Sequence, residues 1–295
     1  MIIGSRGSQL ALWQARWVAS QLGGAEILAI RTTGDRITEG PLAAVGTKAL
    51  FIREIEEALL DGRVDLAVHS LKDMPVEIDP RLVIAAIPAR AEVRDALVGS
   101  KLSGLREGAV VGTGSLRRAA QLRHLRPDLR IEPLRGNVDT RLRRLDEGRY
   151  QAIVLAAAGL HRLGLEARIA ELLDPELMCP AVGQGALAIE IREEDAATRR
   201  RVVRLEEESA RLEITAERAM LAELGGGCQV PIGGSARHAG EQLRLTAVVA
   251  SPDGGQLLRA VLEGPATDPE DLGRRAAHEL LARGAGKILE QVYPR

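Results

Sequence analysis

Apolar positions along the first ninety residues switch between two periods, and each switch marks an element. Ile2 to Ser5 reads as a short strand, and Gln9 to Leu22 then follows a helical period. Ala25 to Thr32 is an apolar run that predicts a buried strand. Ala49 to Asp61 is amphipathic at helical spacing, Leu66 to His69 is a strand, and Leu82 to Ile87 is another. Strands alternating with helices predict an α/β layer architecture with a mainly parallel sheet.

A second unit of the same logic begins near Arg90. Val110 and Val111 form a strand that runs into Gly112-Thr113-Gly114-Ser115, and a helix from Leu116 to Leu125 follows. Ile131 to Leu134 is a strand, Val138 to Glu147 a helix and Ala152 to Ala156 a strand. Pro180 to Arg192 reads as a return crossing, which makes the first domain discontinuous. The last unit opens on a helix from Glu207 to Leu224, stopped by Gly225-Gly226-Gly227. Strands from Leu243 to Ala250 and Gln256 to Leu262 flank the turn Ser251-Pro252-Asp253-Gly254-Gly255, and a helix from Pro269 to Ala282 follows. The expected domains are 1–89 plus about 184–203, then 90–183, then 204–295. The third is expected to be a small α+β domain with an antiparallel sheet.

Composition narrows the class. A chain of 295 residues can bury two or three cores, and 45% hydrophobic with 27% charged residues fits a globular protein, not a disordered one. Aromatics stand at 2%, which argues against binding nucleic acid by base stacking, and a net charge of −1 gives no global field for polyanions. The local picture differs: Arg117 to Arg149 holds ten arginines against five acids. Cys179 and Cys228 make neither a disulfide framework nor a zinc site, so no metal is expected. The start lacks a charged region followed by an apolar core, and no apolar run approaches a membrane span. The expected compartment is the cytoplasm.

Four stretches could carry chemistry. In Gly112-Thr113-Gly114-Ser115-Leu116-Arg117-Arg118, Ser115 suits an N-cap and the glycines let backbone N–H groups face an anion. Arg117 and Arg118 add forked, permanently charged donors, although an ordinary capped helix with solvated arginines explains the stretch equally well. In Leu134-Arg135-Gly136-Asn137-Val138-Asp139-Thr140-Arg141, Asn137 can cap a helix while Arg135 and Arg141 flank its start. Two such starts above parallel strands suit a ligand with several negative groups. His69-Ser70-Leu71-Lys72-Asp73-Met74-Pro75 puts a lysine and an aspartate side by side at a strand end, as acid–base work needs, or as a surface turn tolerates. His69 itself gets only a structural reading. Cys228 lies in the glycine-flanked stretch Gly225 to Gly234, read as a flexible loop in which a thiol is accessible as a nucleophile. Most lone cysteines are small buried hydrophobes, and Cys179 is read as one.

Taken together these stretches resemble the porphobilinogen deaminase (hydroxymethylbilane synthase) family over nearly the whole chain. The resemblance is carried by Ser5-Arg6-Gly7-Ser8-Gln9-Leu10-Ala11-Leu12-Trp13-Gln14-Ala15, Ala67-Val68-His69-Ser70-Leu71-Lys72-Asp73-Met74-Pro75 and Gly114-Ser115-Leu116-Arg117-Arg118. Leu134 to Leu142, Pro180-Ala181-Val182-Gly183-Gln184-Gly185-Ala186 and Gly226-Gly227-Cys228-Gln229-Val230-Pro231-Ile232-Gly233 continue it. Six stretches in the right order are highly specific. The implied fold is three α/β domains, the first two like periplasmic binding proteins.

The resemblance also implies a transferase of tetrapyrrole (porphyrin, heme) biosynthesis. Cys228 would bear a dipyrromethane cofactor through a thioether, and four porphobilinogen molecules would add to it with loss of ammonia. Water would then release the linear tetrapyrrole. Ammonia loss leaves positive charge on a pyrrole nitrogen, which a carboxylate held in a buried position stabilises, so Asp73 is the expected catalytic residue. Matching motifs assign Lys72, Asp35, Ser115, Arg117, Arg118, Arg135, Ser70 and Gly185 to the cofactor. They assign Arg6, Ser8, Lys48, Arg141, Arg162 and Gln184 to substrate, with Phe51 as cleft lining. The partners implied are porphobilinogen and the growing oligopyrrole, with no nucleic acid or membrane, on a monomer. Two departures stand out: Gly114 where the family often has serine, and Thr47 and Ala49 in place of glycines around Lys48. A small-anion receptor and a nucleic-acid binder are the rival classes. The receptor would need a secretory signal and has no use for Cys228.

Overall fold

Ser8 follows the first strand by two residues and starts the first helix. Its backbone is extended and its hydroxyl accepts the Ala11 amide at 3.3 Å, so one orphan N–H of the helix is met locally. The computed structural model describes residues 1–33, 52–226 and 230–292. In chain order the elements begin with β1 (Ile2–Arg6), α1 (Gln9–Gln21), β2 (Glu26–Ile30), α2 (Arg53–Leu60), β3 (Leu66–Ser70) and β4 (Leu82–Ala86). There follow β5 (Asp95–Val98), β6 (Val110–Gly112), α3 (Leu116–Leu125), β7 (Arg130–Glu132), α4 (Val138–Asp146), β8 (Ala152–Ala156), α5 (Ala157–Arg162) and β9 (Ile169–Leu172). The last group is β10 (Leu187–Arg192), α6 (Ala196–Val202), α7 (Glu208–Glu223), β11 (Ile232–Ala239), β12 (Gln242–Ala250), β13 (Leu257–Pro265), α8 (Pro269–Ala282) and α9 (Ala285–Glu290).

The chain forms two compact units: Met1–Ala91 with Gly185–Arg211, and Glu92–Gln184 with Leu212–Arg295. In the first, a five-stranded sheet has the order β2-β1-β3-β10-β4. Strand β1 pairs in parallel with β2 and β3, while β10 runs antiparallel to β3 and β4. On one face Ile3, Leu66, Val68, Ile189 and Ile191 meet Ala15, Val18 and Leu22 of the α1 side. On the other, Ala67 and Leu82 meet Ile55, Ala58 and Leu59 of α2. Cover on both faces is why β3 reads as an almost unbroken apolar run. Gly4 belongs to this packing, since a Cβ there would come within 3.1 Å of Val64.

The second unit holds two sheets. One has the order β7-β6-β8-β5-β9, with β5 antiparallel to both neighbours and β6 parallel to β7 and β8. Both five-stranded sheets thus share one plan, in which an antiparallel strand from a distant part of the chain is inserted beside the last parallel strand. The other sheet, β11-β12-β13, is antiparallel, and its apolar face packs Leu243, Leu245 and Ala247 against Met220 of α7 and Leu272 and Leu280 of α8. Two five-stranded sheets built largely of parallel strands and a small antiparallel one agree with the α/β layers and the antiparallel third sheet expected from the sequence.

Three expectations are corrected. Ala25–Thr32 is not a buried strand: β2 covers Glu26–Ile30, and Glu26, Leu28 and Ala29 are exposed. It pairs only with β1 at the sheet's edge, a position that an apolar run does not reveal. The stretch Gly225 to Gly234 is not a loop throughout, because β11 begins at Ile232. A Cβ at Gly233 would lie 2.9 Å from Cys179 and one at Gly234 would lie 2.5 Å from Met220, so these glycines serve close packing and not flexibility. Strands β5, β9 and β11 were not foreseen. Of the helix expected from Ala49, Arg53–Leu60 is helical, and 49–51 lie outside the described residues.

Candidate active site

In the first unit the parallel strands β1, β2 and β3 end on one edge of their sheet, where α/β proteins bind ligands. Arg6 is the last residue of β1, and Ser8 follows as the cap of α1. Ser70 ends β3, and the chain turns through a 3-10 turn at Leu71–Asp73. Gln14 of α1 donates to the Ser70 hydroxyl at 2.8 Å, and the Leu71 amide donates to the Ala186 carbonyl at 3.1 Å. Leu71 and Met74 are buried, which pins both ends of the turn. Lys72 between them is half-buried and Asp73 is exposed. The expectation of a buried carboxylate at Asp73 is therefore corrected: the residue is exposed at the end of the turn that follows β3. Gly185, at φ +88°, accepts the Ala91 amide through its carbonyl at 3.2 Å.

In the second unit the adjacent strands β7, β6 and β8 are parallel, and they lead into α4, α3 and α5 along one edge of the sheet. Ser115 caps α3 by accepting the Arg118 amide at 3.4 Å. The Thr113 amide donates to Glu132 at 3.0 Å, which lays the loop before α3 along the end of β7. A Cβ at Gly114 would sit 2.7 Å from the Leu134 carbonyl oxygen, so glycine lets the two loops touch. Asn137 has the backbone of an N-cap, but its side chain makes no cap bond, a correction to its expected role. Instead Arg141 folds back over the turn, its Nε donating to the Gly136 carbonyl at 2.7 Å. Arg135 is half-buried, and its carbonyl accepts from Arg144 at 3.4 Å.

Arg117 and Arg118 are both buried, with 3% and 5% exposure, and both hold Asp95, which has none. Arg118 reaches Oδ1 of Asp95 through Nε and Nη2, and Arg117 reaches Oδ2 through Nη1 at 2.8 Å. Gln184 is fully buried in the same group and donates to Asp95 at 2.8 Å and to the Val93 carbonyl at 2.7 Å. Burial pushes the Asp95 carboxyl up, but the two guanidiniums outweigh it and hold the group well below the ordinary carboxylate range. The Arg117 Nε is buried with no hydrogen-bond partner. An orphan guanidinium donor at a helix start is suited to an incoming carboxylate.

Arg162 is the last residue of α5, and burial lowers its guanidinium to about 10. Cys179 is fully buried, its thiol pushed up to about 12 by burial, and its carbonyl accepts from Arg117 and Gln121. Asp35, Lys48, Phe51 and Cys228 lie outside the described residues. The structure thus brings Ser115, Arg117, Arg118 and Gln184 into one group, Arg135 and Arg141 onto the adjoining loop and helix, and Ser8, Ser70, Lys72 and Asp73 onto one edge of the first sheet. Sequence reasoning missed Asp95, whose only signal is an acid opening the apolar run Ala96-Leu97-Val98. It also missed Glu217, a fully buried carboxylate that accepts the Gly183 and Ala236 amides at 2.8 and 2.7 Å.

Fold and site define a mixed α/β protein with two five-stranded sheets, a small antiparallel sheet and two buried arginines at the start of α3. Residues 1–200 match the family described as porphobilinogen deaminase, dipyromethane cofactor binding domain, and residues 211–282 match the porphobilinogen deaminase C-terminal domain. The porphobilinogen deaminase of Roseiflexus sp. (strain RS-1) is 51% identical over 298 residues, covering 98% of each chain. That of Methylobacillus flagellatus is 48% identical over 298 residues, covering 98% of this chain and 96% of the relative. Among solved structures, the methionine binding protein MetQ is 15% identical with a TM-score of 0.43, covering 76% of this chain and 93% of that one. The chain belongs to the porphobilinogen deaminase (hydroxymethylbilane synthase) family, a family of transferases.

Proposed function

We propose that the chain deaminates porphobilinogen and joins four units head to tail on a dipyrromethane held by a thioether at Cys228, then releases the linear tetrapyrrole by hydrolysis. The observation that carries the reading is the Arg117–Arg118–Asp95 group, in which a buried Arg117 Nε lacks a partner at the start of α3. That donor fits a cofactor whose pyrroles bear acetate and propionate groups. The cofactor supplies a nucleophilic pyrrole carbon.

Each remaining task falls to the chain. In the second unit Ser115, Arg117, Arg118 and Arg135 hold cofactor carboxylates, and Arg141, Arg162 and Gln184 serve those of the substrate. In the first unit Ser70, Lys72, Gly185 and Asp35 serve the cofactor, and Arg6, Ser8 and Lys48 the substrate. Arginine suits a polyacid that lengthens, because it stays charged and binds carboxylates in a fork. Asp73 accepts the pyrrole N–H, stabilises the cation left when ammonia departs, and manages the protons on the leaving amine and the ring carbon. Its exposed position agrees with a group that must meet each arriving substrate.

Three working domains, 1–89 with about 184–203, 90–183, and 204–295, are part of this reading, with the cofactor cysteine on the third. So are a monomer acting in the cytoplasm and an absence of nucleic-acid or membrane partners. Among the described residues no helix is long and apolar enough to cross a membrane. Intact-protein mass spectrometry tests the reading: the native chain should carry the added mass of two pyrrole units, and Cys228→Ser should lack it. An unmodified native chain that still makes tetrapyrrole would overturn it.

A further inference from the structure

One residue before the Ser70–Asp73 turn, the first unit buries an ionisable cluster that the chemistry above does not use. The antiparallel register of β3 and β10 sets His69 opposite Ala188 and Ala67 opposite Glu190, so all four share one face of the sheet. The two alanines leave room that the imidazole and carboxylate fill. Nε2 of His69 lies 3.1 Å from Oε2 of Glu190, with side chains 4% and 0% exposed. The second oxygen, Oε1 of Glu190, is buried with no hydrogen-bond partner.

The same face is covered by α2, which brings Glu56 to it. Burial first, and the Glu190 charge second, push the Glu56 carboxyl up to about 7. The Asp79 charge also raises Glu56, and the other charged groups around the cluster, among the described residues, are engaged elsewhere. On α2, Glu54 accepts from Thr33, and Glu57 pairs with Arg53. On β10, Arg192 donates to the Leu59 and Val64 carbonyls and to Asp195. Between β3 and β4, Asp79 is held by Arg81, and β4 itself is apolar.

A buried polar pair is weak evidence for stability, because an apolar pair of similar volume often holds two strands together as well. What the pair adds is directional. It ties β3 to β10 where their ladder ends, at Leu187 opposite Ser70, and so fixes the strand end that Lys72 and Asp73 follow. We propose that His69 and Glu190 are positioning residues for the Ser70–Asp73 turn, and that Glu56, on the helix packed over the same face, is coupled to them. The proposal rests on the reading of Asp73 as the reacting carboxylate. Once Glu56 ionises, two carboxylates share the space with one imidazole. The strand end then shifts and turnover falls, which gives the rate an alkaline limit.

The test uses the holoenzyme with Glu190→Gln, Glu56→Gln and Asp73→Ala, each checked for cofactor by the aldehyde colour reaction of pyrroles. Glu190→Gln should keep the colour and lower kcat about tenfold while KM changes less than about twofold. Glu56→Gln, which cannot ionise, should abolish the alkaline fall in kcat that begins near neutrality in the wild type. Wild-type kcat and pH profile in Glu190→Gln, or an alkaline limb that persists in Glu56→Gln, overturns the proposal. Should Glu190→Gln fail to fold, the limb in Glu56→Gln decides alone. Full turnover in Asp73→Ala sinks the reading of Asp73 instead, whereas an inactive Asp73→Ala beside unaltered cluster variants sinks only the positioning role.

Discussion

Arg118 grips a single oxygen of Asp95 with two nitrogens, Nε at 3.0 Å and Nη2 at 2.7 Å, and both residues are buried. Arg117 takes the other oxygen, so one carboxylate orients two adjacent guanidiniums at the start of α3. Removing its charge leaves two cations in a low-dielectric site without that anion. Asp95→Asn should therefore cost on the order of 3 kcal/mol of stability by urea unfolding. It should also raise the KM for porphobilinogen, since the arginines lose their fixed aim.

The same group sets an acid dependence. Asp95 sits well below its ordinary value of 3.8 because the two guanidiniums outweigh the effect of burial. A depressed carboxyl contributes stability that is complete above its unfolded value and is lost as pH falls through its folded one. The stability gap between wild type and Asp95→Asn should hold from neutrality down to about pH 4 and shrink below it. Urea midpoints measured across that range check this, and a gap that widens in acid would contradict it.

Glu217 joins α7 to two other segments by accepting the Gly183 and Ala236 amides in the interior. Glu217→Ala strands two buried N–H donors and should destabilise the second unit by about 3 kcal/mol, with cavity and hydrogen-bond losses together. Native-state hydrogen exchange should show the Gly183 and Ala236 amides losing protection ahead of the β12 core.

The parts of this fold that the sequence announced are those whose periodicity was long or whose caps were chemical. Helix α3 was foreseen at Leu116–Leu125 because Ser115 marks its start, and α8 because Pro269 marks its own. The hairpin at Ser251–Gly255 was legible from its turn residues, and the Ser251 and Gln256 pairing follows. Strands β5 and β9 went unread because neither leads into a helix-start motif such as Gly112–Ser115, which made the still shorter β6 legible. The site divides in the same way. Arginines and helix starts stand out in a chain, but their partner Asp95 lies more than twenty residues away and is joined to them only by the sheet. The glycines at 233 and 234 misled for a related reason: what they avoid, Cys179 and Met220, is distant in sequence.

Elongation can be watched on the intact protein. Mixed with porphobilinogen, the native chain should show a mass ladder rising one pyrrole unit at a time, up to four additions. Asp73→Ala should start from the same cofactor-bearing mass and climb at least a hundredfold more slowly. A ladder in Asp73→Ala that rises at the native rate would contradict the claim that this exposed carboxylate carries the chemistry.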